Sequence, residues 1–205
     1  MAVRASTEEK LLDAAEALLF TRGIAATPVD EILARAGVST ATLYRAYPSK
    51  EALVAAALGR RHRGWLATWE AAVERAPDDR GRLLAVFDAL DDFRGRPEGA
   101  RWCAFLATAA EYVDPPDEVA AAVRLDTDTL RSRLRELASL VVGGEGRARD
   151  RAAGDLAERL LLVVSGDLAM RLRGSVPSSV ADTRVARSVA ETLVDQAVAG
   201  STGRG

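Results

Sequence analysis

The chain has 205 residues, with 28 Lys and Arg against 30 Asp and Glu, 48% hydrophobic and 28% charged residues. That balance is globular rather than disordered, and the length suits one ordinary domain or a small module fused to a larger one. A lone cysteine, Cys103, and a lone histidine, His62, exclude an internal disulfide and argue against a zinc finger or multi-histidine metal centre; the longest aliphatic run, 160–164, is far too short to span a bilayer. No apolar stretch follows the start as a secretory leader requires, so a soluble, cytoplasmic protein is expected.

Apolar residues recur every three to four positions and nowhere alternate over a strand's length, so the expected fold class is all-α, with about nine helices. Ser6-Thr7-Glu8-Glu9 has the form of a capping box opening a first helix, with Leu11, Leu12, Ala15, Leu18 and Leu19 inside it and Gly23 at its end. Thr27-Pro28-Val29-Asp30 opens a second, with Thr27 as N-cap, an apolar face of Val29, Ile32, Leu33 and Ala36, and Gly37 as its stop. Ser39 caps a short third helix from Thr40 to about Tyr47, which Pro48 breaks. A fourth runs from Ser49 to about Ala76, and longer ones are placed near 79–94, 98–113, 117–142, 148–173 and 178–199, separated by loops bearing proline or glycine. The expected organisation is a three-helix unit over 1–48, a connecting helix over about 49–76, a larger helical bundle over 77–199 and a disordered tail over 200–205.

Helices two and three, joined by Ala36-Gly37-Val38-Ser39, have the shape of a helix-turn-helix. At 100° per residue, Leu43, Ala46 and Tyr47 share one side of the third helix, while Ala41, Tyr44 and Arg45 point away, flanked by Thr40 and Thr42. A helix that buries Leu43 and presents Thr, Ala, Tyr and Arg suits a DNA major groove: Arg can bind guanine O6 and N7 together, and Ala or a Thr methyl can touch thymine methyls. From Arg35 to Lys50 there are bases and no acid, so positive charge is local in an otherwise acidic chain.

The block Ala14-Ala15, Leu19-Phe20, Gly23, Thr27, Ile32, Ala36-Gly37-Val38-Ser39, Thr42-Leu43-Tyr44, Tyr47 and Ser49-Lys50-Glu51-Ala52-Leu53 strongly resembles the N-terminal domain of the TetR (tetracycline-repressor-type) family. The resemblance covers about the first quarter of the chain. It implies a homodimeric, ligand-responsive transcriptional repressor with two DNA-reading heads on a pseudo-palindromic operator. By position, it assigns Thr27, Ser39, Tyr44, Tyr47 and Lys50 to phosphate contact, and Thr40, Ala41, Thr42 and Arg45 to bases. Ala46 departs from the family, which often has a larger polar or aromatic residue there.

The C-terminal half is less telling. The helix near 148–173 carries Leu156, Leu160, Leu161, Val163, Val164, Leu168 and Leu172, and the last helix a stripe two residues wide, Val185-Ala186, Val189-Ala190, Leu193-Val194 and Ala197-Val198. The resemblance implies that these two helices dimerise; packing within one chain is the alternative. Trp65 and Trp69, with Trp102, Phe105 and Tyr112, are the candidates to line a site for a small apolar or aromatic effector, although such stripes equally form core. Glu111 offers polar specificity or a surface ion pair. Arg60-Arg61-His62-Arg63 fits a solvated or interdomain face, Cys103 a small buried hydrophobe, and Asp91-Asp92 and Asp126/Asp128 solvated acids. No cofactor and no metal are implied. An enzyme finds no support, lacking any nucleophile–base pair or phosphate loop; the competing class is a helical ligand-binding or scaffold protein without specific DNA recognition, towards which Ala46 points.

Overall fold

The computed structural model describes residues 2–95, 103–173 and 183–202, with side chains from residue 6 to residue 199 of these. Among them are nine helices and no strand: α1 (Ala2–Arg22), α2 (Val29–Ala36), α3 (Thr40–Ala46), α4 (Lys50–Arg75), α5 (Asp79–Arg94), α6 (Ala104–Glu111), α7 (Asp117–Val141), α8 (Gly146–Leu172) and α9 (Arg184–Thr202). The all-α expectation is met.

Local chemistry accounts for most boundaries. Gly23 and Gly37 end α1 and α2 in left-handed conformations, at φ 97° and 66°, where a side chain would be strained. Ser49 Oγ accepts the Ala52 N–H at 2.9 Å at the head of α4, and Asp78 Oδ1 accepts the Gly81 N–H at 2.6 Å at the head of α5. Two starts differ from expectation. α1 begins at Ala2, so Ser6–Glu9 lies inside it: Ala2, Val3, Arg4 and Ala5 contain no helix breaker, and the helix continues through the capping-box residues. α2 has Pro28 rather than Thr27 as its N-cap, with no side-chain cap. At the far end α9 continues through Thr202, into the segment expected to be disordered; 203–205 lie outside the described residues, as do the starts expected for the helices near 98 and 178.

Two compact units divide the chain: residues 1–64 with 97–126, and residues 65–96 with 127–205. This differs from the expected division at 48 and 77. α6 and the start of α7 join the N-terminal unit because Ala104, Phe105 and Val119 are buried in the same core as Leu11, Leu19, Ile32, Leu43, Leu53 and Leu58. Each of these Val, Leu, Ile and Phe side chains taken fully out of water contributes about 1.5–3 kcal/mol.

The second unit is built round α5, whose middle turns bury Leu83, Leu84, Val86, Phe87 and Leu90. α9 packs on α5 and α8. Thr183, just before α9, donates its hydroxyl to Asp91 Oδ2 at 2.8 Å, and Arg80 holds Asp195 at 2.8 Å. Asp91 and Asp92, expected to be solvated, thus have partners, Asp92 in Arg75 at 2.5 Å. The stripe on α9 splits in two: Ala186, Ala190 and Val194 are buried, whereas Val185, Val189 and Val198 face outward. On α8, Leu156, Leu160, Leu161 and Val164 are buried, while Leu162 is 71% exposed and Met170 is also exposed.

Candidate functional site

α2 and α3 are set against each other by a turn whose every residue has a task. The Gly37 N–H donates to the Leu33 carbonyl, as does that of Val38 at 3.2 Å. A Cβ at Gly37 would meet nothing within 4 Å, so glycine is needed there for its backbone conformation and not for space. Ser39 is extended (φ −80°, ψ 156°), accepts the Thr42 N–H at 3.3 Å, and has its hydroxyl 2.9 Å from that of Thr42. Ile32, Leu33, Ala36 and Leu43 are buried and fix the inner faces.

The outer face of α3 is open. Thr40, Ala41, Tyr44, Arg45 and Ala46 are exposed, Tyr44 at 48%, and Thr42 is half-buried. Ala46 was expected on the buried side; the helix ends there, and Tyr47, extended at φ −133°, takes the inward position alone. Arg45 has no ion pair among the described residues, while Glu31 of α2 is held by Arg22 at 2.6 Å. The exposed surface of α3 therefore offers hydroxyls, methyls, a phenol and one uncommitted guanidinium, with no carboxylate on the helix itself.

Three residues expected to touch phosphate make bonds within the head. Thr27 is fully buried, and its hydroxyl donates to the Gly23 carbonyl at 2.8 Å; it ties the α1–α2 turn together instead of facing solvent. Tyr47 is buried and donates to Glu8 Oε1 at 3.2 Å; burial, reinforced by the Glu8 charge, pushes its phenol up to about 12. Lys50 donates to the Ile24 carbonyl at 2.5 Å. Thr27 and Tyr47 thus have their single hydroxyl protons committed within the head, whereas the half-buried Lys50 ammonium has donors beyond this bond.

The structure also reveals residues that sequence reasoning passed over. Glu111, at the end of α6, accepts the Ile24 N–H at 3.0 Å and the Ala25 N–H at 2.8 Å, capping the turn after α1 from 87 and 86 residues away. His62 is buried, its Nδ1 2.9 Å from Asp126 Oδ1, with Phe105 edge-on at 6.3 Å. It is not a surface residue, and Asp126 is not a solvated acid. Arg60 holds Asp13 at 2.7 Å and Glu16 at 2.5 Å, and buried Arg61 lies 5.6 Å from the centre of the Phe20 ring, so half the basic run clamps α4 to α1. No local signal announces these pairings.

Of the five aromatic candidates, Trp65 and Trp69 come together, ring centres 5.7 Å apart, and Phe93 meets Trp65 edge-on at 5.8 Å. Trp69 is 1% exposed, and its indole N–H has no acceptor. Phe105 is buried and Tyr112 half-buried, both in the N-terminal unit; Trp102 lies outside the described residues. Cys103 is half-buried, and burial raises its thiol above the ordinary range.

A short, solvent-facing helix held across a glycine turn, on an all-helical chain, defines a helix-turn-helix protein of the DNA-regulator type. Residues 11–57 match the family described as bacterial regulatory proteins, tetR family. Over 150 residues the chain is 35% identical to the HTH-type transcriptional activator FasR of Mycolicibacterium smegmatis, a match spanning 72% of this chain and 66% of that relative's length. A crystal structure of a TetR-family transcriptional regulator from Streptomyces coelicolor superposes with a TM-score of 0.76 at 27% identity, over 96% of this chain and 90% of that one. Another from Cytophaga hutchinsonii reaches 0.77 at 13% identity, over 97% and 98%, a likeness of fold alone. The chain belongs to the tetR family of bacterial regulatory proteins. These relatives are named as transcriptional regulators, and none as an enzyme. No described helix is long and apolar enough to cross a membrane.

Proposed function

We propose that this chain is a homodimeric, ligand-responsive transcriptional regulator that reads a pseudo-palindromic DNA operator with the outer face of α3. The carrying observation is the exposed, carboxylate-free surface of Thr40, Ala41, Tyr44 and Arg45 on a helix whose inner side is locked by Leu43 and whose start is capped by Ser39. Arg45 and the methyls of Thr40 and Ala41 supply base contacts; Tyr44 and the Ser39–Thr42 hydroxyl pair supply contacts to the backbone. The reading no longer needs Thr27 or Tyr47 as DNA ligands, since their hydroxyls are tied within the head, and keeps Lys50, whose ammonium has donors to spare beyond the Ile24 carbonyl, for a phosphate.

Dimerisation is supported by the outward apolar residues Leu162 and Met170 of α8 and Val185 and Val189 of α9. Self-association of such a face about a twofold axis sets two heads to match half-sites about 34–36 Å apart. An effector site is supported by the Trp65–Trp69–Phe93 cluster, whose orphaned indole N–H suits a ligand carrying an acceptor on a largely apolar body. Binding would act by favouring one head spacing over another. A location in the cytoplasm, where DNA is accessible, accompanies this reading.

Repression is the sign expected where an operator overlaps a polymerase site. Activation is the second reading, favoured by the name of the Mycolicibacterium relative. Selection of genomic fragments by the purified protein, followed by reporter assays on the fragments recovered, tests both parts. A shared inverted repeat lost in Arg45→Ala supports the reading, and the direction of the reporter response decides the sign. Recovery of fragments without a common sequence would favour the scaffold alternative.

A further inference from the structure

At the other end of the α8–α9 pair from the exposed valines of α9's first turns lies an open hollow of about 490 Å³. Its walls are Gly144 of the α7–α8 connection, Arg151, Asp155, Leu156 and Arg159 of α8, and Gln196 of α9. The remaining lining is alanine and glycine, which leaves the space open. The volume lies in the range of small-molecule sites.

Among the described residues Arg151 and Arg159 are in no ion pair, although Asp155 sits one turn from each, at the four-residue spacing where helical ion pairs readily form. A second hollow, of about 360 Å³, makes the contrast plain: its Arg75 and Arg187 are neutralised by Asp92 and Asp88 in its own wall. In the larger hollow, Arg151 and Arg159, about 12 Å apart along the helix backbone, flank Leu156, and Gln196 of α9 completes the wall. The first turn of α8, whose N–H groups carry the positive end of the helix dipole, adds to the same field.

We propose that this hollow binds a small organic anion, a carboxylate or phosphomonoester with a short apolar body, its head held by Arg151 or Arg159 and its body laid on Leu156. Guanidinium forks suit both head groups. The site is independent of the tryptophan cluster and of DNA reading, and would give the protein a second small-molecule input.

Calorimetric titration of the full chain with hexanoate and with butyl phosphate, and with hexanol as the neutral probe, tests this. Saturable binding of at least one anion is expected, with hexanol inert; whichever anion binds identifies the head group. Of Arg151→Ala and Arg159→Ala, both exposed and expected to leave the melting temperature unchanged, at least one should weaken binding about tenfold, and Arg75→Ala in the smaller hollow should not. Absence of saturable binding by either anion, equal binding to the arginine variants, or equal binding of hexanol would overturn the proposal. A change in sedimentation of the double variant without any anion binding would also overturn it, in favour of a contact between protomers.

Discussion

Glu111→Ala is the substitution that most directly probes how the N-terminal unit is held in shape. The Glu111 carboxylate accepts two backbone N–H groups, from Ile24 at 3.0 Å and Ala25 at 2.8 Å. Hydrogen bonds to a charged group contribute about 1.5–3 kcal/mol each. The two are not equal. Ile24 is buried, so its N–H would be left without a partner, whereas Ala25 is exposed and its N–H can turn to water. One bond at nearly full value and one largely replaced by solvent give a loss of about 2 kcal/mol, or a fall of roughly 4–8 °C in the melting temperature. Glu111→Gln keeps one acceptor oxygen and should lose about half as much. Gly23 gives an independent check: at φ 97°, with Glu111 Oε1 3.2 Å from where a Cβ would stand, Gly23→Ala should destabilise for both backbone and steric reasons. Denaturant unfolding followed by circular dichroism reads all three. If Glu111→Ala unfolds within about 0.5 kcal/mol of the parent, the turn is held by its own backbone and the capping argument fails.

The remaining predictions concern separate parts of the molecule. Arg45→Ala should leave unfolding unchanged and weaken operator binding by about 1–3 kcal/mol, measured by anisotropy, if Arg45 reads a guanine. Tyr47 is held neutral by burial and by Glu8, with its phenol raised from 10 to about 12. Its contribution to stability is therefore complete below pH 10 and declines as pH rises towards 12, and Tyr47→Phe should flatten that part of the pH–stability profile. Leu162→Glu together with Val189→Glu places charge on the outward faces of α8 and α9; sedimentation should shift from dimer to monomer while helical content is retained. Cys103, its thiol raised by burial, should react with a maleimide at neutral pH much more slowly than an unfolded control.

What could be read from sequence follows a physical division. Gly37, Ser39, Ser49 and Gly23 are local devices whose partners lie within five residues, and all were legible. The outward set Ala41, Tyr44 and Arg45 came directly from helical phase. Thr27 misled because a threonine before a proline looks like an N-cap, while its actual partner is the Gly23 carbonyl on the preceding turn. Tyr47 misled because chain position does not show that the Glu8 carboxylate lies within reach of its hydroxyl in the folded head. Glu111 with Ile24 and His62 with Asp126 join residues 87 and 64 positions apart, and no spacing encodes that. The valine–alanine stripe of α9 was visible in full, but its division into an inner row of Ala186, Ala190 and Val194 and an outer row of Val185, Val189 and Val198 depended on where α5 and α8 pack.

The central claim is that the outer face of α3 reads DNA in pairs. Fluorescence anisotropy on an operator recovered by fragment selection, titrated at several salt concentrations and with stoichiometry fixed by sedimentation, tests it most directly. Two protomers or a multiple per inverted repeat, an affinity falling steeply and linearly with log salt, and a loss in Arg45→Ala confined to the specific site are the expected results. Binding that is indifferent to salt, or that scrambled DNA and Arg45→Ala leave unchanged, would contradict it.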